Sequence, residues 1–435
     1  MRAWVAYAAT AVLGLTGSGC EPDEGPARAQ WVVVIGTDAT VPQFGDRLLI
    51  EILDRTGEPA CDACRRQLTA GSAADWPVSF GVLPSESGDP LWIRATLYRT
   101  DHLGTDGLPR GDSHIEALGQ LPQTDSVLRV GLELHMDCFG VPADTAAATS
   151  CDPATGLPAP AVVLTEIGSD DDLLKPDSWP AGQPVDCSGA VPDGMVCVPG
   201  GVFLLGGLRS FSGNTEPEHL VKLSPYALDT DELTVATLRQ LVLDGAINSL
   251  PTSQHPDPKE VNGACTYDGD NDALPVNCIN RDLARAACVA QGKRLPTEAE
   301  WEFAAGNRTR ETSYPWGEDD DTCAHAVVGR GRSILELNST DATDGEFDAC
   351  RGAGSEELLP WGPVAGDAGD DLTDQGLRHL AGNLSEWVAD AVATYQDPCW
   401  NLAGNLLIDP VCTVSTTASS NVATTRGGRW LMLPF

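Results

Sequence analysis

At 435 residues the chain exceeds one ordinary core, which implies two domains with connecting segments. Its 27 basic residues against 63 acidic ones leave a net charge of −36. That balance excludes the basic footprint of a nucleic-acid binder and a basic patch for anionic lipid.

The N-terminus carries compartment information. Met1-Arg2 is positive, Ala3 to Leu15 is apolar, and the small residues Gly17-Ser18-Gly19 lead to Cys20. This is the pattern of a secretory signal, and it is too short for a spanning helix. A cysteine directly after small residues resembles a bacterial lipoprotein signal, in which the cysteine is acylated and becomes the first mature residue. Gly17 stands where the usual leucine is expected, so plain cleavage is the alternative. Residues 1–20 are therefore read as a lipoprotein-type signal with lipidation at Cys20, and 21–29 as a tether. The expected location is the cell envelope, facing the periplasm or the cell surface.

Fourteen cysteines in an exported chain point to disulfides. Proximity suggests Cys61 with Cys64, Cys138 with Cys151, Cys187 with Cys197, Cys265 with Cys278, Cys323 with Cys350 and Cys399 with Cys412. Cys288 is left over, and sequence alone does not dictate connectivity.

Residues 30–152 read as a small all-β, sandwich-like domain. The strands are Trp31 to Ile35, Arg47 to Leu53, Pro77 to Val82, Leu91 to Tyr98 and Val127 to Leu134, separated by turns such as Thr56-Gly57 and Thr105-Asp-Gly107. Cys61-Asp-Ala-Cys64 has the spacing of a redox pair. It lies between strands rather than at a helix start, which favours a loop clip over redox chemistry. His102, His114 and His135 show no ligand spacing. From 153 to 193 the composition turns to Pro, Asp, Gly and Ser, as in a linker.

From 194 onward, Met195-Val-Cys-Val-Pro-Gly-Gly-Val-Phe-Leu-Leu-Gly206 reads as a strand, a turn and a second strand, hence a hairpin. Thr234 caps a helix with an apolar stripe at Leu238, Leu241 and Val242. A second helix runs from Arg281 to Gln291, with Leu283, Ala284, Ala287 and Cys288 on one face and Gly292 at its end. Then comes Arg294-Leu-Pro-Thr-Glu-Ala-Glu-Trp301, where Thr297 and Glu300 form a capping box. Trp301, Ala304 and Ala305 share a face, while Glu298 and Glu302 are expected to point away from it.

Six segments in order, the 195–206 stretch, Tyr226 to Thr234, Arg294 to Glu302, Tyr314-Pro-Trp-Gly317, Leu377 to Val388 and Arg426-Gly-Gly-Arg-Trp430, resemble the sulfatase-modifying-factor family, the formylglycine-generating-enzyme-like proteins. The resemblance covers a little over half the chain. It implies an α+β fold whose domain at 194–435 is irregular and C-type-lectin-like, with long loops and structural calcium. By position, Glu386 would give calcium a carboxylate, and Gly382 and Leu384 backbone carbonyls. His379 stands where relatives present an amide or carboxylate, and imidazole is a poor calcium ligand. Simple capping or pairing of Glu386 within the fold is the competing reading.

True formylglycine-generating enzymes bind Cu(I) through two cysteines shortly after R-G-G-S and oxidise a sulfatase cysteine with O₂. This sequence has no cysteine after Cys412, and it runs only from Leu431 to Phe435 after Trp430. The resemblance therefore leads to an expectation of a truncated C-terminus, no copper and no catalytic residue. His219, His255, His325 and His379 are scattered. The favoured reading is a non-catalytic surface module, monomeric, that binds a peptide, glycan or envelope protein. The alternative is a formylglycine-generating oxidase acting on sulfatase cysteines.

Overall fold

A computed structural model describes residues 28–429 apart from 86, 112, 208–215, 251–264, 331–348, 351–361, 367–368, 401–404 and 415–422. Residues 1–27, which hold the expected signal segment with Cys20 and most of the expected tether, lie outside the described residues, as do His255 and Trp430.

The N-terminal half holds β1 (Gln30–Thr37), β2 (Arg47–Leu53), β3 (Arg65–Thr69), β4 (Val78–Val82), β5 (Trp92–Tyr98), β6 (His114–Gln120) and β7 (Val127–Leu134). One sheet has the order β4-β1-β7, with β1 and β7 parallel. β1 is its central strand, and Gly36 packs against Leu173 and Leu174 on a second face. Both faces are thus covered, which explains an unbroken Val-Val-Val-Ile run instead of an alternation. The other sheet contains β6-β5-β2-β3 in antiparallel pairing. Ile35, Leu48, Ile93, Leu97, Ile115 and Leu132 from both sheets fill one apolar core.

Two of these strands escape the sequence pattern. β3 is exposed at every position and is placed by its ladder with β2, where Arg65 Nε donates to Glu51 Oε1 at 2.7 Å. β6 buries Glu116, which accepts hydrogen bonds from Thr96 Oγ1 and the Ala143 amide. The stretch read from composition as a linker is also structured. β8 (Thr149–Asp152) and β9 (Leu157–Pro160) form a hairpin, and β10 (Val162–Val163) joins β6 in parallel. Leu164, Leu173 and Trp179 are buried. A few large apolar anchors are enough to hold a Pro- and Asp-rich segment against a sheet.

The C-terminal half contains β11 (Met195–Val198), β12 (Gly201–Leu205), β13 (His219–Leu223), β14 (Tyr226–Asp229), α1 (Val235–Leu243), α2 (Arg281–Ala290), α3 (Glu298–Ala305), α4 (Thr322–His325), β15 (Glu386–Ala391), β16 (Leu406–Ile408) and β17 (Ala423–Arg426). The expected hairpin of β11 and β12 does not form. β11 pairs with β14, while β12 pairs with β13, which carries β16 on its other edge. A Cβ on Gly200 would lie 2.5 Å from the Leu223 carbonyl, so the Pro-Gly-Gly segment carries the chain closely past β13 into a different sheet. Few helices and several small sheets make this a mixed α+β protein.

The two halves share a boundary. Val202, Leu204 and Leu220 complete the N-terminal core. Arg99 donates to Glu311 Oε2 at 2.7 Å, and Gln43 Nε2 donates to the Val202 carbonyl at 2.8 Å and to Glu311 Oε1 at 3.1 Å. Disulfides join Cys61 to Cys64, Cys138 to Cys151, Cys187 to Cys197, Cys265 to Cys278, Cys323 to Cys350 and Cys399 to Cys412. Among the described residues no helix is long and apolar enough to cross a membrane.

Candidate functional site

The family-like segments meet around α3. Thr297 Oγ1 accepts from the Glu300 amide at 3.1 Å, and Glu300 Oε2 accepts from the Thr297 amide at 2.9 Å, so the capping box closes. Glu300 also accepts two hydrogen bonds from Arg294, at 2.6 and 2.5 Å. Leu295 is buried, and the Pro296 carbonyl accepts from Ala389 in β15 at 2.8 Å. The helix start is thereby fixed to the neighbouring strand.

The facing of α3 differs from its periodicity. Phe303 is wholly buried and Ala305 is not, and Glu298 is turned into the core. Tyr395 OH donates to Glu298 at 3.3 Å, and Arg426 Nε lies 3.6 Å from it. Burial pushes the Glu298 carboxyl above its ordinary range, against the pull of Arg426. Glu302 bonds the Gly206 amide and Arg426. A half-buried arginine, Arg426, therefore pairs with both acids and overrides the simple amphipathic pattern. Its guanidinium also sits 5.8 Å from the Trp301 ring centre.

Beyond Trp301 lies a carboxylate centre. Trp301 Nε1 donates to Glu386 Oε2 at 2.8 Å. Glu232 receives Asn383 Nδ2 at 2.5 Å and the Leu384 amide at 3.0 Å, so its two oxygens hold the 383–384 turn in place. Asn383 adopts φ +65°, and its Oδ1 accepts from the Val364 amide at 2.9 Å. Burial raises the Glu386 carboxyl to about 7, with nearby Asp371 adding repulsion. Asp371, also buried, is raised to about 7. Glu232 is pushed well above its usual range, first by burial and then by the charge of Glu386. Among the described residues no Lys or Arg forms an ion pair with Glu232 or Glu386.

Glu232 and Glu386 open onto a cavity of about 1390 Å³ lined by Tyr226, Leu228, Ile279, Leu384, Trp387 and Arg429 among others. Cys288 also faces it, its thiol raised by burial. The remaining histidines stand apart: His219 packs on Tyr395, His325 stacks on Trp316, and His379 is buried. Among the described residues no group of three His, Cys, Asp or Glu side chains could hold a metal ion. Sequence reading missed Asp371 and Arg426 as organising groups, and it quoted Glu232 only as part of a segment. The Glu-Leu-Thr string at 232–234 was the available signal for Glu232. Asp371 sits in an acidic run without any.

This is an irregular α+β domain in which a capped helix and a half-buried glutamate pair support one broad groove. Residues 184–435 match the family described as the sulfatase-modifying factor enzyme 1-like domain, and the chain belongs to that family. It is 35% identical over 116 residues to the inactive C-alpha-formylglycine-generating enzyme 2 of Bos taurus, covering 27% of this chain and 33% of that protein. It is 27% identical over 236 residues to the formylglycine-generating enzyme of Thermomonospora curvata, covering 46% and 72%. It is 28% identical over 183 residues to the hercynine oxygenase of Mycolicibacterium smegmatis, covering 34% and 40%. The chain thus spans about a third of the bovine relative's length.

Proposed function

We propose that this protein is a non-catalytic binding module of the formylglycine-generating-enzyme-like family, taking a peptide, glycan or envelope protein in the groove beside Trp387. The observation that carries the reading is the state of the cysteines. Twelve are tied in disulfides, and Cys288 is the free one among the described residues. A Cu(I) centre of the oxidase type needs two thiolates together. The similarity to a bovine protein named as inactive supports the same reading. The alternative, a formylglycine-generating oxidase, draws support from the longer match to the Thermomonospora curvata enzyme.

Calcium fits the donor set. Glu386 and Glu232 are half-buried, neighbouring hard-oxygen carboxylates without a cationic partner among the described residues, so a divalent cation would relieve their repulsion. Glu386 would hold it with the carbonyls of Gly382 and Leu384, and its role would be to fix the 382–386 turn at the groove floor.

The remaining parts of the proposal are architectural and cellular. The domain takes a C-type-lectin-like arrangement, and the N-terminal half forms a sandwich that spaces it from the membrane. The chain is exported, monomeric and anchored in the cell envelope by acylated Cys20. Cys20→Ala should move the protein from the membrane to the soluble fraction, and retention in the membrane would contradict the anchor. Competition with a chromogenic Cu(I) chelator tests the central reading: no copper should transfer to the protein, and stoichiometric transfer would sink it.

A further inference from the structure

Cys61 and Cys64 stand apart from the other disulfides. Cys61 is the one exposed cysteine among the described residues. Its partner Cys64 is half-buried and packs on the edge of the N-terminal core. The other five bridges span sequence separations of 10 to 27, whereas this one spans 3. A bridge closing so short a loop restricts the unfolded chain least.

The loop does not depend on the bridge. Its backbone is already closed by Ala60 N–H to Ile52 O at 2.9 Å, Ile52 N–H to Cys64 O at 2.8 Å and Cys64 N–H to Cys61 O at 3.0 Å. The flanking ladder pairs β2 with β3 from Arg47 opposite Thr69 to Glu51 opposite Arg65. The backbone hydrogen bonds that shape the loop therefore do not run through the sulfur atoms. Access and structural independence are what a reversible exchange site requires.

Contrary to the loop clip expected from its place between strands, we infer that Cys61–Cys64 is a thiol–disulfide exchange site that takes two electrons from a dithiol partner. A thiolate of the partner attacks the exposed Cys61 Sγ, forming a mixed disulfide and releasing Cys64 as a thiolate, which takes up a proton. The partner's second thiol then loses its proton and attacks its own sulfur in the mixed disulfide. The partner leaves as a disulfide, and Cys61 leaves as a thiolate that is protonated in turn. One dithiol is oxidised and one protein disulfide is reduced.

The test uses the full mature chain with Cys288 and any other free thiol first blocked by light N-ethylmaleimide. The protein is then poised in a series of dithiothreitol ratios, labelled with heavy reagent and mapped by mass spectrometry, with tryptophan fluorescence recorded at each ratio. Cys61 and Cys64 should acquire the heavy label together, at reductant ratios at least tenfold milder than any other pair, with the native emission unchanged. Labelling of this pair only alongside the other cysteines, or only with loss of native emission, would overturn the inference. As an independent readout, Cys64→Ser should trap glutathione on Cys61 as a stable mixed disulfide, whereas Cys61→Ser should give at least tenfold less at Cys64. Equal trapping at the two positions, or none at Cys61, would contradict the assigned order of attack.

Discussion

Replacing Glu300 by Ala should be among the costliest single changes in the first turn of α3. Its carboxylate is 9% exposed, while the Arg294 side chain that grips it is 63% exposed. The substitution orphans the Thr297 amide, a capping loss of about 1 kcal/mol. It removes a negative charge from the first helical turn, about 0.3–1 kcal/mol. The pair with Arg294 is discounted for solvent screening to under about 1 kcal/mol. The sum is about 1.3–3 kcal/mol. Glu300→Gln keeps one acceptor for the Thr297 amide and should cost about 1 kcal/mol, and Arg294→Ala should cost less than about 1 kcal/mol. Urea unfolding followed by tryptophan fluorescence measures all three. If Glu300→Ala costs no more than Arg294→Ala, the capping box does not carry the weight assigned to it.

Glu311→Ala removes the closer of the two carboxylates paired with Arg99 at the boundary of the two halves, leaving Asp101 at 3.5 Å, and should cost about 1–3 kcal/mol by calorimetry; a loss under about 0.5 kcal/mol would dismiss the link. Gly427 has φ +75°, and an added Cβ would lie 2.6 Å from the Leu380 carbonyl, whereas Gly292 at φ +72° has open space. Gly427→Ala should therefore cost at least about 2 kcal/mol more than Gly292→Ala in the same unfolding assay, and equal costs would contradict the close approach of 427 to 380. Burial holds the His219 imidazole below its ordinary 6.5, so the unfolded chain takes up the proton first as pH falls. Stability from this residue is present above pH 6.5 and declines below it; His219→Gln should show a smaller drop in Tm between pH 7.5 and 5.5 than the wild type. An equal drop would refute the assignment.

How much of this was legible beforehand depended on whether local chemistry decided the outcome. Thr297 and Glu300 form their box because both partners lie within one helical turn, and such spacing is written in the sequence. α1 and α2 follow their apolar stripes for the same reason. What failed was non-local. Val198 and Gly201 look like two arms of a hairpin, but the partners of β11 and β12 lie further on, from 14 residues (Leu205 with His219) to 34 residues (Met195 with Asp229). Glu298 looks like a solvent-facing helix residue until Arg426, more than 120 positions away, is brought to it. β3 has no apolar face to announce it, since its place comes from the ladder with β2. The six ordered segments pointed to the family, while the pairing of Glu232 with the Asn383 turn needed coordinates.

The most direct test of the central claim is chemical. The purified mature chain is incubated with Cu(I), O₂ and a Cys-x-Pro-x-Arg peptide, and the product is examined by mass spectrometry for an aldehyde. The account predicts unmodified peptide at every time point. Formation of formylglycine in a protein-dependent manner would contradict it and restore the oxidase reading.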